Sequence, residues 1–153
     1  MPVPHTSQCC ATQILECIHS NICGPLHNGY AGYKYFTLFI NEYTSFTTIY
    51  CLTKQSKISQ KFKEWKATVE NFHHTTISFL RVDNAPKFVK GELKLICKEY
   101  GITYERTVPD TPQQNRKAEW HNYAFACMAH TMLLNAGLSE YFWPFVIQTA
   151  VYL

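Results

Sequence analysis

Apolar positions along this chain change period several times, and each change marks an element. Residues 14–22 (Ile-Leu-Glu-Cys-Ile-His-Ser-Asn-Ile) read as a first strand, closed by Gly24-Pro25. Residues 26–32 are turn material. Tyr33 to Ile40 is an aromatic and β-branched run, and Phe46 to Leu52 is another; the short link between them predicts a hairpin. The period then lengthens. Ile58, Phe62, Trp65, Val69 and Phe72 recur at spacings of three and four, with Lys57, Lys61, Lys63, Glu64 and Lys66 between them, which predicts an amphipathic helix over residues 56–72. A strand follows at residues 76–82 and ends at Asp83. A short helix is expected from Glu92 to Tyr100, stopped by Gly101, and a fifth strand over residues 102–107. Thr111-Pro112-Gln113-Gln114 offers a cap, a first-turn proline and a capping-box glutamine. The same residues also suit a loop, with the helix starting one turn later. That helix runs to about Asn135, with Gly137 as its stop, and Ser139 opens a last one that continues to Leu153.

Composition narrows the class. A chain of 153 residues is long enough for one domain with a real core. Its 46% hydrophobic and 16% charged content fits a globular class and argues against disorder. No run approaches the ~18 apolar residues of a membrane helix, so no membrane partner is expected. Residues 1–11, with Pro2 and Pro4, read as a poorly structured lead-in without a secretory signal pattern. Seven scattered cysteines read as reduced, mostly buried thiols of an intracellular protein, nuclear or cytoplasmic. His5, Cys9 and Cys10 lack the ligand spacing of a zinc module. The net charge of +3 permits polyanion binding without demanding it.

Two acids carry the candidate chemistry. Asp83 ends a strand in Val82-Asp83-Asn84, and Glu119 lies early in a helix; 35 residues separate them (84–118). A helix and a strand between them can return both carboxylates to one end of a sheet. Paired carboxylates there suit hard divalent cations and phosphoryl chemistry. Taken singly, each has an ordinary structural reading, the Asp as a turn former and the Glu as a complement to the helix dipole.

With its flanking phrases, the chain resembles the catalytic core of retroviral-type integrases, and most closely that of copia-type retrotransposons. That branch carries an Asp in a His-x-Asp-x-x-Gly-Pro phrase, a Ser-Asp-Asn phrase, and a Thr-Pro-Gln-Gln-Asn…Ala-Glu phrase. Here they read His19-Ser20-Asn21-Ile22-Cys23-Gly24-Pro25, Val82-Asp83-Asn84 and Thr111 to Glu119. Residues 35–43, Phe142-Trp143 and residues 150–153 add further echoes. The resemblance covers residues 12–153 and implies a ribonuclease H-like α/β fold, a five-stranded mixed sheet flanked by helices. It also implies DNA integration by phosphoryl transfer at two divalent ions, Mg²⁺ or Mn²⁺, with DNA and a second copy of the chain as partners. Asp83 and Glu119 then fall on metal-ligating positions. Lys87, Lys90, Arg116, Lys117 and Asn122 fall near the expected DNA surface.

Asn21 stands where the family has its first Asp. An amide offers one neutral oxygen in place of a bridging carboxylate, so Mg²⁺ binding is expected to be weakened and catalysis defective. Other departures are Ala85-Pro86-Lys87 for a Gly-Gly-Glu phrase, Arg116-Lys117 for small residues, and Trp120-His121 for basic ones. These fit either drift or a shifted DNA-contact surface. The alternative to a defective enzyme is a non-catalytic module of the same fold that binds nucleic acid or oligomerises. Residues 142–153 are apolar on nearly all sides, so a truncated last helix with partly uncovered apolar surface is expected.

Overall fold

The computed structural model describes residues 11–83, 86–106 and 112–153, with side chains described for all but 83, 87, 88 and 112–118 of these. Five strands form one sheet: β1 (Cys17–Cys23), β2 (Tyr35–Asn41), β3 (Thr47–Leu52), β4 (Phe79–Asp83) and β5 (Thr103–Arg106). Their spatial order is β3-β2-β1-β4-β5. The first three pair antiparallel through the expected hairpin, while β1, β4 and β5 run parallel. Parallel neighbours need crossovers. Helix α1 (Ile58–His73) leads into β4, and α2 (Lys87–Glu99) leads into β5. Two further helices follow, α3 (Pro112–Ala136) and α4 (Trp143–Ala150). No described helix is long and apolar enough to cross a membrane.

Both faces of the sheet are covered, and each carries its own apolar layer. Ile18, Ile22, Phe39, Leu52, Leu80 and Val82 face α1 and α2, where Ile58, Phe62, Trp65, Val89, Leu93 and Ile96 pack on them. Phe39 is fully buried, with its ring stacked 4.9 Å from Trp65. The alternate residues Phe36, Leu38 and Ile40 face Ala129 and Leu133 of α3 and Trp143, Val146 and Ile147 of α4. Trp143 is fixed at its edge as well, donating from Nε1 to the His27 carbonyl at 2.8 Å.

Several boundaries differ from the periodicity: β2 starts at Tyr35 and β4 at Phe79, two and three residues later than expected, and three further shifts have an identifiable cause or consequence. The first strand begins at Cys17 instead of Ile14. The Glu16 carboxylate accepts the Thr12 and Gln13 backbone N–H groups at 2.6 and 3.2 Å, and Leu15 has φ 61°, so the chain turns before it extends. Helix α2 begins at Lys87, well before Glu92. Val89, Leu93, Ile96 and Cys97 make its buried stripe; Gly91, a residue that costs a helix about 1 kcal/mol, hid the first turn. Helix α4 ends at Ala150. It buries Trp143, Pro144, Val146, Ile147 and Ala150 and leaves Phe145, Tyr152 and Leu153 exposed. The lead-in lies outside the described residues up to residue 10.

Candidate functional site: the ends of β1 and β4

Strand β1 alternates, and its two sets of side chains meet different layers. Ile18 and Ile22 enter the core under α1 and α2. Cys17, His19 and Asn21 take the other face, the one covered by α3, which packs on β1. Asn21 pairs with Leu38 on one side and with Asp83 on the other. The Asn21–Asp83 pair closes the parallel β1–β4 ladder, at the carboxyl ends of both strands. Beyond it the chain leaves the sheet at Gly24, with φ +130°. A Cβ there would lie 2.7 Å from the Lys34 carbonyl oxygen, so only glycine fits this exit.

Asn21 is 5% exposed. Its backbone carbonyl accepts the Thr37 hydroxyl at 2.8 Å, which pins β1 to β2. Its side-chain Oδ1 is buried with no hydrogen-bond partner. A buried amide oxygen left in that state costs on the order of 1–3 kcal/mol. On α3, Glu119 is exposed. Asn122 lies three residues further on, the same helix face, and its Oδ1 is also buried and unpartnered. The Asp83 side chain lies outside the described residues, so the expected approach of the Asp83 and Glu119 carboxylates does too. The same holds for the side chains of Lys87, Arg116 and Lys117. Lys90 is half-buried on α2.

The donor set matches a hard cation in kind: carboxylates at Asp83 and Glu119, and an orphaned amide oxygen at Asn21. It falls one negative charge short of three carboxylates. One amide oxygen also cannot bridge two ions as a carboxylate does. The residues therefore fit divalent-cation binding through oxygen and do not reproduce a full two-ion cradle.

Beside this end lies a polar network that the sequence alone did not reveal. Arg81, two residues before Asp83, is 3% exposed. Its Nε donates to Glu105 Oε2 at 2.6 Å, in register across β4 and β5. Its Nη1 lies 3.8 Å from Glu42 Oε1, which is 3.2 Å from His19 Nε2. The other Glu42 oxygen accepts the Ala11 backbone N–H at 3.2 Å. Burial pushes the Glu42 carboxyl up. The His19 hydrogen bond and charge, the Ala11 N–H and Arg81 together outweigh it and hold that carboxyl below its ordinary value. Glu42 is thus an ion-pair partner of β1 and β4. Of the other acids, Glu16 is committed to its local turn, and Asp110 lies outside the described residues. The signal available in the sequence was the Cys17-x-His19-x-Asn21 alternation, which places three polar-capable side chains on one strand face.

Comparisons with known proteins bear on the lineage and the fold. No protein-family model matches the chain. A retrovirus-related Pol polyprotein of the transposon TNT 1-94 from Nicotiana tabacum is 35% identical over 141 residues, covering 92% of this chain and 11% of the relative. The Pol polyprotein of transposon RE2 from Arabidopsis thaliana is 30% identical over 139 residues, covering 91% and 9% respectively. The chain thus spans about a tenth of the length of the curated relatives it matches. Among solved structures, the magnesium complex of the HTLV-2 integrase catalytic core domain superposes with a TM-score of 0.61 at 14% identity, covering 93% of this chain and 86% of that one. The simian T-cell lymphotropic virus intasome in complex with the PP2A regulatory subunit B56 gamma gives a TM-score of 0.65 at 13% identity, with 90% and 47% covered. These structural likenesses establish the fold. The sequence relatives give the lineage: the chain is homologous to a segment of copia-type retrotransposon Pol polyproteins, and it has the ribonuclease H-like fold of a retroviral integrase catalytic core.

Proposed function

We propose that this domain is built for DNA strand chemistry at the carboxyl ends of β1 and β4, and that Asn21 disables it. The observation that carries this reading is the Asn21 side chain. It sits in register with Asp83 on the adjacent parallel strand, and its Oδ1 is buried without a hydrogen-bond partner. An oxygen held this way is available to a cation.

In this reading Asp83 and Glu119 hold divalent ions, Mg²⁺ or Mn²⁺, with Asn21 Oδ1 as a weak third contact. When bound, such ions make a nucleophile available near neutral pH and stabilise charge on the leaving oxygen. The chain's own contribution is placement. Register fixes the Asn21 and Asp83 backbones side by side, the helix that carries Glu119, α3, packs on the Asn21 face of β1, and Gly24 lets the chain leave at once. Asn122, on the Glu119 face of α3, adds a neutral polar group. Lys87, Lys90, Arg116 and Lys117 are the proposed phosphate contacts. With a net charge of only +3, DNA binding by this segment should be weak and strongly salt-dependent. Self-association is proposed as well, supported by the apolar surface of Phe145, Tyr152 and Leu153 and by the dimeric and trimeric forms in which the HTLV-2 core was solved.

The test is Mn²⁺-dependent nicking of plasmid DNA by the native sequence, by Asn21→Asp, and by Asn21→Asp combined with Glu119→Gln. Activity is expected only in the Asn21→Asp single variant. A folded Asn21→Asp protein that leaves the plasmid intact favours the non-catalytic module. Equal nicking with and without Glu119 removes that residue from the site.

A further inference from the structure

Among the described residues, one group of side chains could hold a metal ion without Asp83 or Glu119, starting on the same face of β1 as Asn21. Ligand atoms of Cys17, His19 and Glu42 all lie within 4.8 Å of one another. Cys17 is fully buried, His19 is 4% exposed, and the Glu42 side chain is 19% exposed. Cys17 and His19 alternate on β1, so both project to one face. Glu42 follows β2, and its backbone N–H donates to the Cys17 carbonyl at 3.0 Å, which ties that turn to the start of β1.

We propose that Cys17, His19 and Glu42 form a structural site for a borderline-soft divalent cation of the zinc class, which clamps the start of β1 to the turn after β2. Three features support it. The donors are thiolate, imidazole and carboxylate, the set zinc takes and Mg²⁺ does not. Their spacing is close to that of a tetrahedral shell, whose ligand atoms sit about 3–4 Å apart; the His19–Glu42 pair, at 3.2 Å, is already there. The charge also balances. With the ion bound, Glu42, Glu105 and a Cys17 thiolate supply three negative charges and Arg81 with the dication three positive ones, since a metal displaces the proton of a ligating imidazole. Arg81 is engaged by Glu105 at 2.6 Å and reaches Glu42 only at 3.8 Å, as an outer partner of the ligand. The bland alternative is a buried thiol beside a His–Glu ion pair, and it predicts no metal affinity.

Cobalt(II) reports this directly, because a thiolate ligand gives it a near-ultraviolet charge-transfer band. The titration uses the 153-residue chain with Cys9, Cys10, Cys23 and Cys127 changed to Ser, which leaves the buried thiols Cys17, Cys51 and Cys97. The expected result is a band saturating at one equivalent of cobalt and bleached by zinc. It should persist when Asp83→Asn and Glu119→Gln are added, which separates this site from the one proposed above. It should vanish in Cys17→Ser. Glu42→Gln, checked for a native melting transition, should weaken cobalt by more than ~10-fold, the lower end of what outer partners contribute. A folded parent protein that gives no band overturns the proposal. So does a band that survives Cys17→Ser, a cobalt affinity unchanged by Glu42→Gln, or a band lost with Asp83 and Glu119.

Discussion

Arg81→Met probes the polar network that props the strand bearing Asp83. Methionine keeps most of the arginine stem's volume, so the change isolates charge from packing. In the native protein, Arg81 Nε meets Glu105 at 2.6 Å and Nη1 lies 3.8 Å from Glu42, with the guanidinium 3% exposed. At about 4 Å and an effective dielectric of ~20, one such pair is worth about 4 kcal/mol before desolvation. Removing the cation leaves Glu42 without its shared guanidinium, while Glu105, with 27% of its side chain exposed, regains some hydration. The expected loss is about 3–5 kcal/mol, the range for breaking a buried pair from one side. For a chain of this size that lowers the melting temperature by about 6–20 °C. Urea denaturation of Arg81→Met, Glu105→Gln and the double variant measures it, and a coupling of ~1–3 kcal/mol is expected for residues in one network. A loss under ~0.5 kcal/mol in Arg81→Met, or two strictly additive changes, would refute the idea that this network holds β4 in place.

Further outcomes follow from the same contacts. The Glu42 carboxyl is depressed in the folded state, so its stabilisation is complete above the unfolded value near 4.5 and is lost as pH falls through the folded one. The stability gap between the native protein and Glu42→Gln should therefore be constant near neutrality and close in acid, as read from melting curves against pH. Phe39→Ala removes a fully buried ring that contacts Tyr50, Phe62 and Trp65; it should cost about 3–5 kcal/mol in chemical denaturation. Burial pushes the Cys51 and Cys97 thiols up to about 11, so mass spectrometry after brief alkylation at neutral pH should find them unmodified while exposed Cys127 is labelled.

Much of the fold was legible because local pattern and tertiary demand coincide. The Ile58-Phe62-Trp65 stripe reads as a helix and is buried as one. The aromatic and β-branched run of residues 33–40 reads as a strand, and β2 (Tyr35–Asn41) is covered on both faces. What stayed hidden depends on register. His19, Glu42, Arg81 and Glu105 are far apart in the chain and carry no common motif. They meet because β1, β4 and β5 pair in one particular alignment. The early start of α2 was hidden by Gly91, whose low helix propensity the Val89–Leu93–Ile96 stripe overrides. At the candidate site, Asp83, Glu119 and the anomaly at Asn21 were visible through their flanking phrases. The orphaned Asn21 oxygen was not, since it follows from burial under α3 and from what fails to reach it.

The central claim is that the Asn21 position belongs to a cation site lacking one charge, and metal-linked stability tests it most directly. Thermal unfolding is followed for the native protein and for Asn21→Asp across a Mg²⁺ titration. Without metal, Asn21→Asp should melt below the native protein, because a carboxylate added at this buried position loses its hydration. At free Mg²⁺ 100 times its dissociation constant, linkage supplies about 2.7 kcal/mol. The Asn21→Asp melting temperature should then rise by about 5–11 °C, while the native protein shifts far less over the same range. A folded Asn21→Asp variant whose melting temperature responds to Mg²⁺ no more than that of the native protein would contradict the account.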